Sequence, residues 1–590
     1  MIIKNYINNT QWLRVLYIIV GMGFGITSCT DYLTTDPETT AKIMIENFYQ
    51  DSTQCYSALG AAYGAVRVNA GCFYNQIAVM NCGSDECYCG GGSPTDGSGM
   101  QNFSNYTMDA NNVGWPTNSA SAASTNGPAY LWYSYYLGIA NANTLLDNIG
   151  KVAMSDALKA RMVAECKALR AYYYFNLVRI WGNIPIFTQP LTGSNLYDVK
   201  QSTITEVYAQ IEQDLTEAIP DLPLPGAFTA DDAGRFTQGA ATALLGKVYL
   251  YEGDGVPGAK NPDGSDAFPG DPSKYTLAVQ TLVKVNGSQS GTTFSSPYGY
   301  QLLTNYNDLW SNKTSAATPL FGNAPGKFNS ESVFEDVHTN QAKNGWASGG
   351  AVNYMPYYMG NMMNTMVGPR SYVVTAKANN PAPRLSTAGN WSFNPITPEC
   401  YNWMKNNMTG TDNRFTVSIF DAQALFDAGY ITYDYGPSTP GGGTANMNTG
   451  YFLYKFMPLL SDEGHLGGDV VLNYQQDTYI IRLADTYLME AEALLRSGGD
   501  ANRALALVNA VRLRAGATPL AGSLTLQQIW DERRLEFMGE GFRWFDLVRT
   551  GQAVTVLAPR GFQANKNELF PIPATELTNK NFQQNYGYSK

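Results

Sequence analysis

Two textures alternate along this 590-residue chain, one written at helical period and one with no sustained period. In ARMVAECKALRAYYYFNLVRIWG, Met162, Cys166, Leu169, Tyr173, Leu177 and Ile180 step by three or four and draw one apolar stripe. In YIIRLADTYLMEAEALLRSGG, Ile480, Ala484, Tyr487, Ala491 and Leu494 do the same, and Gly498-Gly499 supplies a stop. Thr203 with Glu206, and Thr525 with Gln528, fit the capping box, in which a hydroxyl and the side chain three residues on satisfy orphan N–H groups. Asp500 can cap the helix that follows the double glycine. The spacing predicts paired helices at about 131–149 with 159–181, about 203–218 with 237–252, and about 479–497 with 501–515, then 525–549. Stacked antiparallel pairs are the TPR arrangement, here with an irregular period and without the full consensus.

The other texture fills roughly 67–128 and 255–475, in stretches such as GGGSPTDGSG, NPDGSDAFPGDPS and YGPSTPGGGTANMNTG with only short strand-like runs. Loops this long usually carry function or lack order. The 39 Tyr and 10 Trp argue for order, because disordered chains are poor in aromatic residues.

The amino terminus has a signal-peptide layout: Lys4 and Arg14, then an apolar run from Val15 to Ile26. That run is short of the ~20 residues a spanning helix needs. Ile26-Thr27-Ser28-Cys29 resembles the bacterial lipobox, which implies residues 1–28 as a signal, acylation of Cys29 and residues 29–45 as a lipidated tether to the membrane. An ordinary secretory signal beside a chance cysteine is the alternative. Removing residues 1–28 moves the net charge from −11 to −13, which disfavours nucleic acid and electrostatic attachment to anionic lipid. Of the other seven cysteines, Cys82, Cys87 and Cys89 crowd one loop. A disulfide or free thiols fit it; zinc fits poorly, since no CxxC pair or nearby His is present.

The chain resembles the SusD/RagB family of outer-membrane lipoproteins from Bacteroidetes-type bacteria. The resemblance is carried in order by CTDYL, GSDEC, LWYSYYLGIANANTLLDNI, ECKALRAYYYFNLVRIWGNIPIF, VYAQIEQDLTEAIPDLP, GRFTQGAATALLGKVYLYEGD, RLADTYLMEAEALLRSGGDANRALALVNAVRLRAG, IWDERRLEFMGEGFRWFDLVRTG and LFPIPATEL with QQNYGY. It implies a mainly α fold: TPR-like stacked helix pairs form a scaffold, with an irregular loop-rich half carrying short strands packed on it. Residues 46–590 would form one such unit. It further implies a cell-surface protein of the outer membrane that captures oligosaccharide or peptide and acts as the lid of a SusC-like TonB-dependent transporter, without catalysis and without a cofactor. The middle of the chain departs from the family pattern, which puts the ligand in question and not the fold.

The residues agree with a binder. Only His338 and His465 are present, so the usual general base is nearly missing. Glu490 and Glu492 point in different directions on one helix and read as solvated charges. Asp531, Glu532, Arg533, Arg534 and Glu536 read as ion pairing on and between helices. NPDGSD at 261–266 lacks the EF-hand spacing and reads as a turn. A sugar or peptide binder needs flat rings and a few polar groups. The candidates are Trp115 in NVGWPTN, Trp346, Tyr357 and Tyr358 in NGWASGGAVNYMPYYMGN, and Tyr88 and Phe103 beyond Asp85, each of which could instead pack its loop on the scaffold. The competing readings are a surface glycoside hydrolase, which needs two carboxylates roughly 5–10 Å apart in an aromatic cleft, and a structural lid or adhesin that binds only protein.

Overall fold

The computed structural model describes residues 48–113, 127–193, 198–227, 232–310, 326–340, 359–434, 445–460, 463 and 468–589. Its longer helices, numbered in chain order, open with α1 (Ser52–Gly64), α2 (Gln76–Gly83), α3 (Ser98–Ser104), α4 (Ala129–Asn148), α5 (Asp156–Trp181), α6 (Ile204–Ala218), α7 (Gln238–Asp254) and α8 (Lys274–Asn286). They continue with α9 (Pro398–Asn407), α10 (Leu483–Ser497), α11 (Ala501–Arg514), α12 (Leu526–Phe537) and α13 (Arg543–Arg549). From α4 to α8 each helix packs on the next; α1 packs on α4, and α10 packs on α8, α11 and α12. The scaffold is therefore continuous in space although residues 287–482 intervene between α8 and α10.

Local chemistry sets the ends. Both capping boxes form, at Thr203 with Glu206 and Thr525 with Gln528. Asp500 accepts from the Asn502 and Arg503 amides, and α10 stops at left-handed Gly498. The intervening segment holds strands β1 (Ser288–Ser290), β2 (Thr293–Ser295), β3 (Ser332–Asp336), β4 (Val373–Val374), β5 (Ile419–Asp421), β6 (Ile431–Thr432), β7 (Tyr451–Leu453) and β8 (Thr478–Arg482). Among the described residues these make four antiparallel two-stranded ladders: β1–β2, β3–β8, β4–β6 and β5–β7. The β3–β8 ladder, register Ser332↔Arg482 to Asp336↔Thr478, joins the insertion to the scaffold.

Three expectations need correcting. The single helix over 525–549 breaks after Phe537, where Gly539 and Gly541 take positive φ. A Cβ on Gly539 would sit 2.5 Å from Leu453 Cδ2, so the break lets β7 approach the backbone. Residues 479–482 are strand and not the first turn of a helix, because Tyr479, Ile480 and Ile481 are buried across a ladder. The loop-rich stretches also contain the regular helices α2, α3, α8 and α9; in α8 the stripe Tyr275, Ala278, Leu282 and Val285 lies buried.

Candidate functional site

The acidic residues come first, because an enzyme would need some of them free. Glu490 and Glu492 are not solvated; both are fully buried. Glu490 accepts from Arg503 Nε at 2.5 Å and Asn286 Nδ2 at 2.7 Å. Glu492 accepts two hydrogen bonds at 2.8 Å from the Arg549 guanidinium and one at 3.0 Å from Trp530 Nε1. Burial pushes the Glu492 carboxyl up, and the Arg549 charge and hydrogen bonds outweigh it and pull the pKa down to about 2. They point in different directions, as their spacing requires, but α10 is covered on both of those faces by other elements.

The 531–536 run pairs between elements. Glu532 meets Arg414 and Arg512 at 2.5 Å each, and Arg533 meets Asp485 at 2.7 Å and Asp546 at 2.9 Å. Arg534 meets Asp85 at 2.7 Å, and Glu536 meets Arg482 at 2.6 Å and also Arg514. Asp531 stays near the surface, accepting from Gln527. His338 is buried with Nε2 3.2 Å from Asp336. Glu490, Glu492, Glu532 and Glu536 hold the scaffold together and are committed to arginines.

The loop-rich half presents a different surface. Phe73, half-buried, has its ring centroid 6.0 Å from Trp391 and 5.3 Å from Phe393; the neighbouring Tyr74 lies 6.2 Å from Tyr130 at the start of α4. Trp391 rides on a constrained turn: Asn390, Ser392 and Asn394 all have positive φ, between 50° and 66°. Each such residue costs about 1–3 kcal/mol and persists only when its surroundings over-determine it. Here they do. Asn390 Nδ2 donates to Ser386 O, Ser392 N to Gly368 O, and Asn394 Nδ2 to Ala78 O, while Trp391 N donates to Thr365 O. Arg370 Nε donates to Trp391 O at 2.8 Å and its Nη2 lies 3.3 Å from Asp96, leaving a half-buried guanidinium beside the rings.

This floor is bounded by the stems of three segments. Ala129 N donates to Val113 O at the stem of 114–126; Thr339 N donates to Met359 O and Met362 N to Ala70 O at that of 341–358. Asp434 N donates to Arg370 O and Asn446 N to Gly91 O at the stem of 435–444. Trp115, Trp346, Tyr357 and Tyr358 lie on those segments, outside the described residues, as does Cys29.

Phe103 is corrected. It is fully buried, its ring 4.6 Å from Phe570 and 5.8 Å from Trp544, and it packs α3 on the scaffold as the bland alternative required. Tyr88 keeps a half-buried ring with the Arg560 guanidinium 5.3 Å from its centroid. Phe73, Trp391 and Arg370 carried no motif; the trace of the turn in the sequence is the pair Asn390 and Asn394 around Trp391, a residue type that tolerates left-handed backbone. Cys55, Cys72, Cys82, Cys87, Cys89, Cys166 and Cys400 are buried thiols. Asn261–Asp266 is a turn in which Asp263 accepts from Ser265. Among the described residues no group of three or more His, Cys, Asp or Glu is placed to hold a metal ion, and no helix is long and apolar enough to cross a membrane.

A cleft of about 990 Å³ opens between α4, residues 185–191 with 198–199, and the 575–582 turn. Its α4 wall carries Trp132, Tyr133 and Tyr136, with Phe187 facing them.

The profile of the SusD family matches residues 330–588, and one described as starch-binding associating with outer membrane matches residues 90–250. A solved laminarin binding SusD-like protein is 41% identical, covers 92% of this chain and 100% of that one, and superposes with a TM-score of 0.75. The starch-binding protein SusD of Bacteroides thetaiotaomicron is 26% identical over 505 residues, 78% of either protein. Surface glycan-binding protein A from Bacteroides thetaiotaomicron, solved with laminarihexaose, is 24% identical over 91% of this chain and 100% of that one, TM-score 0.68, and shares the fold.

Proposed function

The chain is a member of the SusD family, and on that premise we propose that it captures glycan at the cell surface, with a β-glucan of the laminarin kind as its ligand. The observation that carries this is the ring floor of Phe73 and Trp391 with Arg370 beside it, held by a turn whose backbone strain is offset by buried hydrogen bonds. Flat rings accept the C–H faces of pyranoses, and a guanidinium donates to their hydroxyls. Trp115, Trp346, Tyr357, Tyr358 and Tyr88 are proposed to complete the site around it. The protein then acts without turnover, anchored through acylated Cys29 to the outer membrane, and passes its ligand to a SusC-like TonB-dependent transporter that it covers as a lid. The engagement of Glu490, Glu492, Glu532 and Glu536 by arginines supports the non-catalytic reading over a hydrolase.

Calorimetric titration of laminarin into the mature chain and its Trp391→Ala variant tests the floor. Affinity is expected to fall about tenfold, equivalent to about 1.4 kcal/mol. Equal affinity in the two proteins removes the floor from the site, and steady release of shorter sugars rejects the non-enzyme assignment. Mass spectrometry of the amino-terminal peptide from membranes tests acylation of Cys29, and cross-linking to a barrel protein tests the lid.

A further inference from the structure

We propose that the cleft between α4 and the 575–582 turn is a second oligosaccharide site, separate from the ring floor, so that one molecule grips glycan at two places; this rests on the glycan-capture reading above. Its volume, about 990 Å³, sits at the upper end of the ~300–1,000 Å³ typical of ligand pockets. Trp132, Tyr133 and Tyr136 of α4 line the cleft, while Tyr130 at the start of the helix is buried with its ring 6.2 Å from Tyr74.

The aromatic wall is pre-organised, which lowers the ordering cost of binding. Tyr136 donates its hydroxyl to Pro185 O at 2.9 Å and packs 4.9 Å from Trp132 and 5.8 Å from Phe187. Asn143 Nδ2 donates to Phe187 O at 2.9 Å, and its Oδ1 accepts from Arg170, itself locked to Asp214 at 2.7 Å. The opposite wall is a turn bearing Thr575, Glu576, Thr578 and Lys580, side chains suited to hydroxyls.

The same bonds argue against an extended peptide. Adding a peptide strand needs free backbone N–H and C=O groups along an edge. In the 185–190 segment the carbonyls of Pro185, Phe187, Thr188 and Gln189 already accept hydrogen bonds, and Pro185 and Pro190 have no N–H. Recognition is left to rings and side chains, which is how a pyranose is held.

The test titrates laminarihexaose into the mature protein and two variants. Thr578→Trp plugs the cleft from an exposed position, and Trp391→Ala weakens the floor. Two sites per chain are expected in the parent, one in Thr578→Trp with unchanged thermal unfolding, and a cleft site of unaltered affinity in Trp391→Ala. Tyr133→Ala, as a second cleft variant, should weaken that same site about tenfold. A parent with one site, sensitive to Trp391→Ala and indifferent to Thr578→Trp and Tyr133→Ala, overturns the cleft and leaves the floor standing. No binding by the parent overturns both.

Discussion

Two regions of the molecule are fixed in different ways. Around α10, α12 and α13 charge does it: Arg414, Arg482 and Arg533 are among the largest fully buried side chains, each clasped by two or more carboxylates. At the turn around Trp391 rings pack together, and geometry is fixed by single hydrogen bonds to a strained backbone. The contrast concerns specificity. Apolar stripes on stacked helices can slide by a turn at little cost, whereas a buried arginine with fixed carboxylates admits one register. The turn at Trp391 has no register to keep, and it spends its hydrogen bonds on holding Trp391 in place.

The largest expected effect breaks the charged half. Arg482 lies between Glu331 at 3.1 Å, Glu536 at 2.6 Å and Glu540 at 3.0 Å, and its guanidinium also donates to Glu536 O. Arg482→Ala takes one cation from each of three buried carboxylates, leaving Glu331 to Arg514, Glu536 to Arg514 and Arg414, and Glu540 to Lys455, and should cost about 3–5 kcal/mol in urea unfolding. A loss below about 1 kcal/mol would mean that the network is worth no more than a surface pair.

Acid should dismantle the same half first. Burial pushes Glu536 up, but Arg514, Arg482 and Arg414 outweigh it and hold the carboxyl at about 2. A folded-state pKa below the unfolded one contributes stability above about pH 4.5 that is lost as pH falls through 2, roughly 3 kcal/mol for this group. Circular dichroism followed from pH 6 to 2 should show helix loss beginning below about pH 4.5, and in Glu536→Gln this group's share of that dependence should be gone while that of Glu492 remains.

Glu86 has the opposite sign and sits at the seam. Its carboxylate accepts from Gly539 N at 3.0 Å in the α12–α13 break, and Thr397 N of the loop-rich half donates to its carbonyl. Burial, opposed by the Gly539 amide, raises it to about 7. Its contribution is complete below about pH 4.5 and lost as pH rises through 7. Glu86→Gln, which stays neutral, should flatten that slope and gain roughly 1–3 kcal/mol over the parent at pH 8 relative to pH 5. Parallel melting curves at the two pH values would deny the shift.

Legibility in the sequence followed the same division. The scaffold could be read because its signals are local: hydroxyl caps at Thr203 and Thr525, the Gly498 stop, and apolar spacing along Met162–Ile180. The burial of Glu490 and Glu492 could not, because only packing brings Arg503 and Asn286 to the first and Arg549 and Trp530 to the second. Gly539 and Gly541 were a visible break inside a helical pattern, yet the reason for it, the approach of Leu453, lies in another part of the chain. The proposed binding face was the least legible. Phe103 and Phe73 both lie in the loop-rich texture of the sequence, and what separates a core ring in α3 from a half-buried one is the position of Trp544, Phe570 and Trp391, hundreds of residues away.

The smallest expected effect sharpens the comparison by holding chemistry constant and changing burial. Arg370 and Asp96 form an ion pair of the same kind as those around Arg482, but their side chains are 28% and 33% exposed and 3.3 Å apart. Water and salt screen such a pair, so it should be worth about 0.2–1 kcal/mol. Asp96→Asn keeps the carbonyl oxygen that accepts from Gly92 N and removes only the charge. Urea midpoints for this variant should differ from the parent by that small amount at 50 mM salt and converge at 1 M, while Arg482→Ala stays destabilised at both. A large, salt-insensitive loss in Asp96→Asn would place the turn around Trp391 under the same charge constraint as the helices and dissolve the distinction between them.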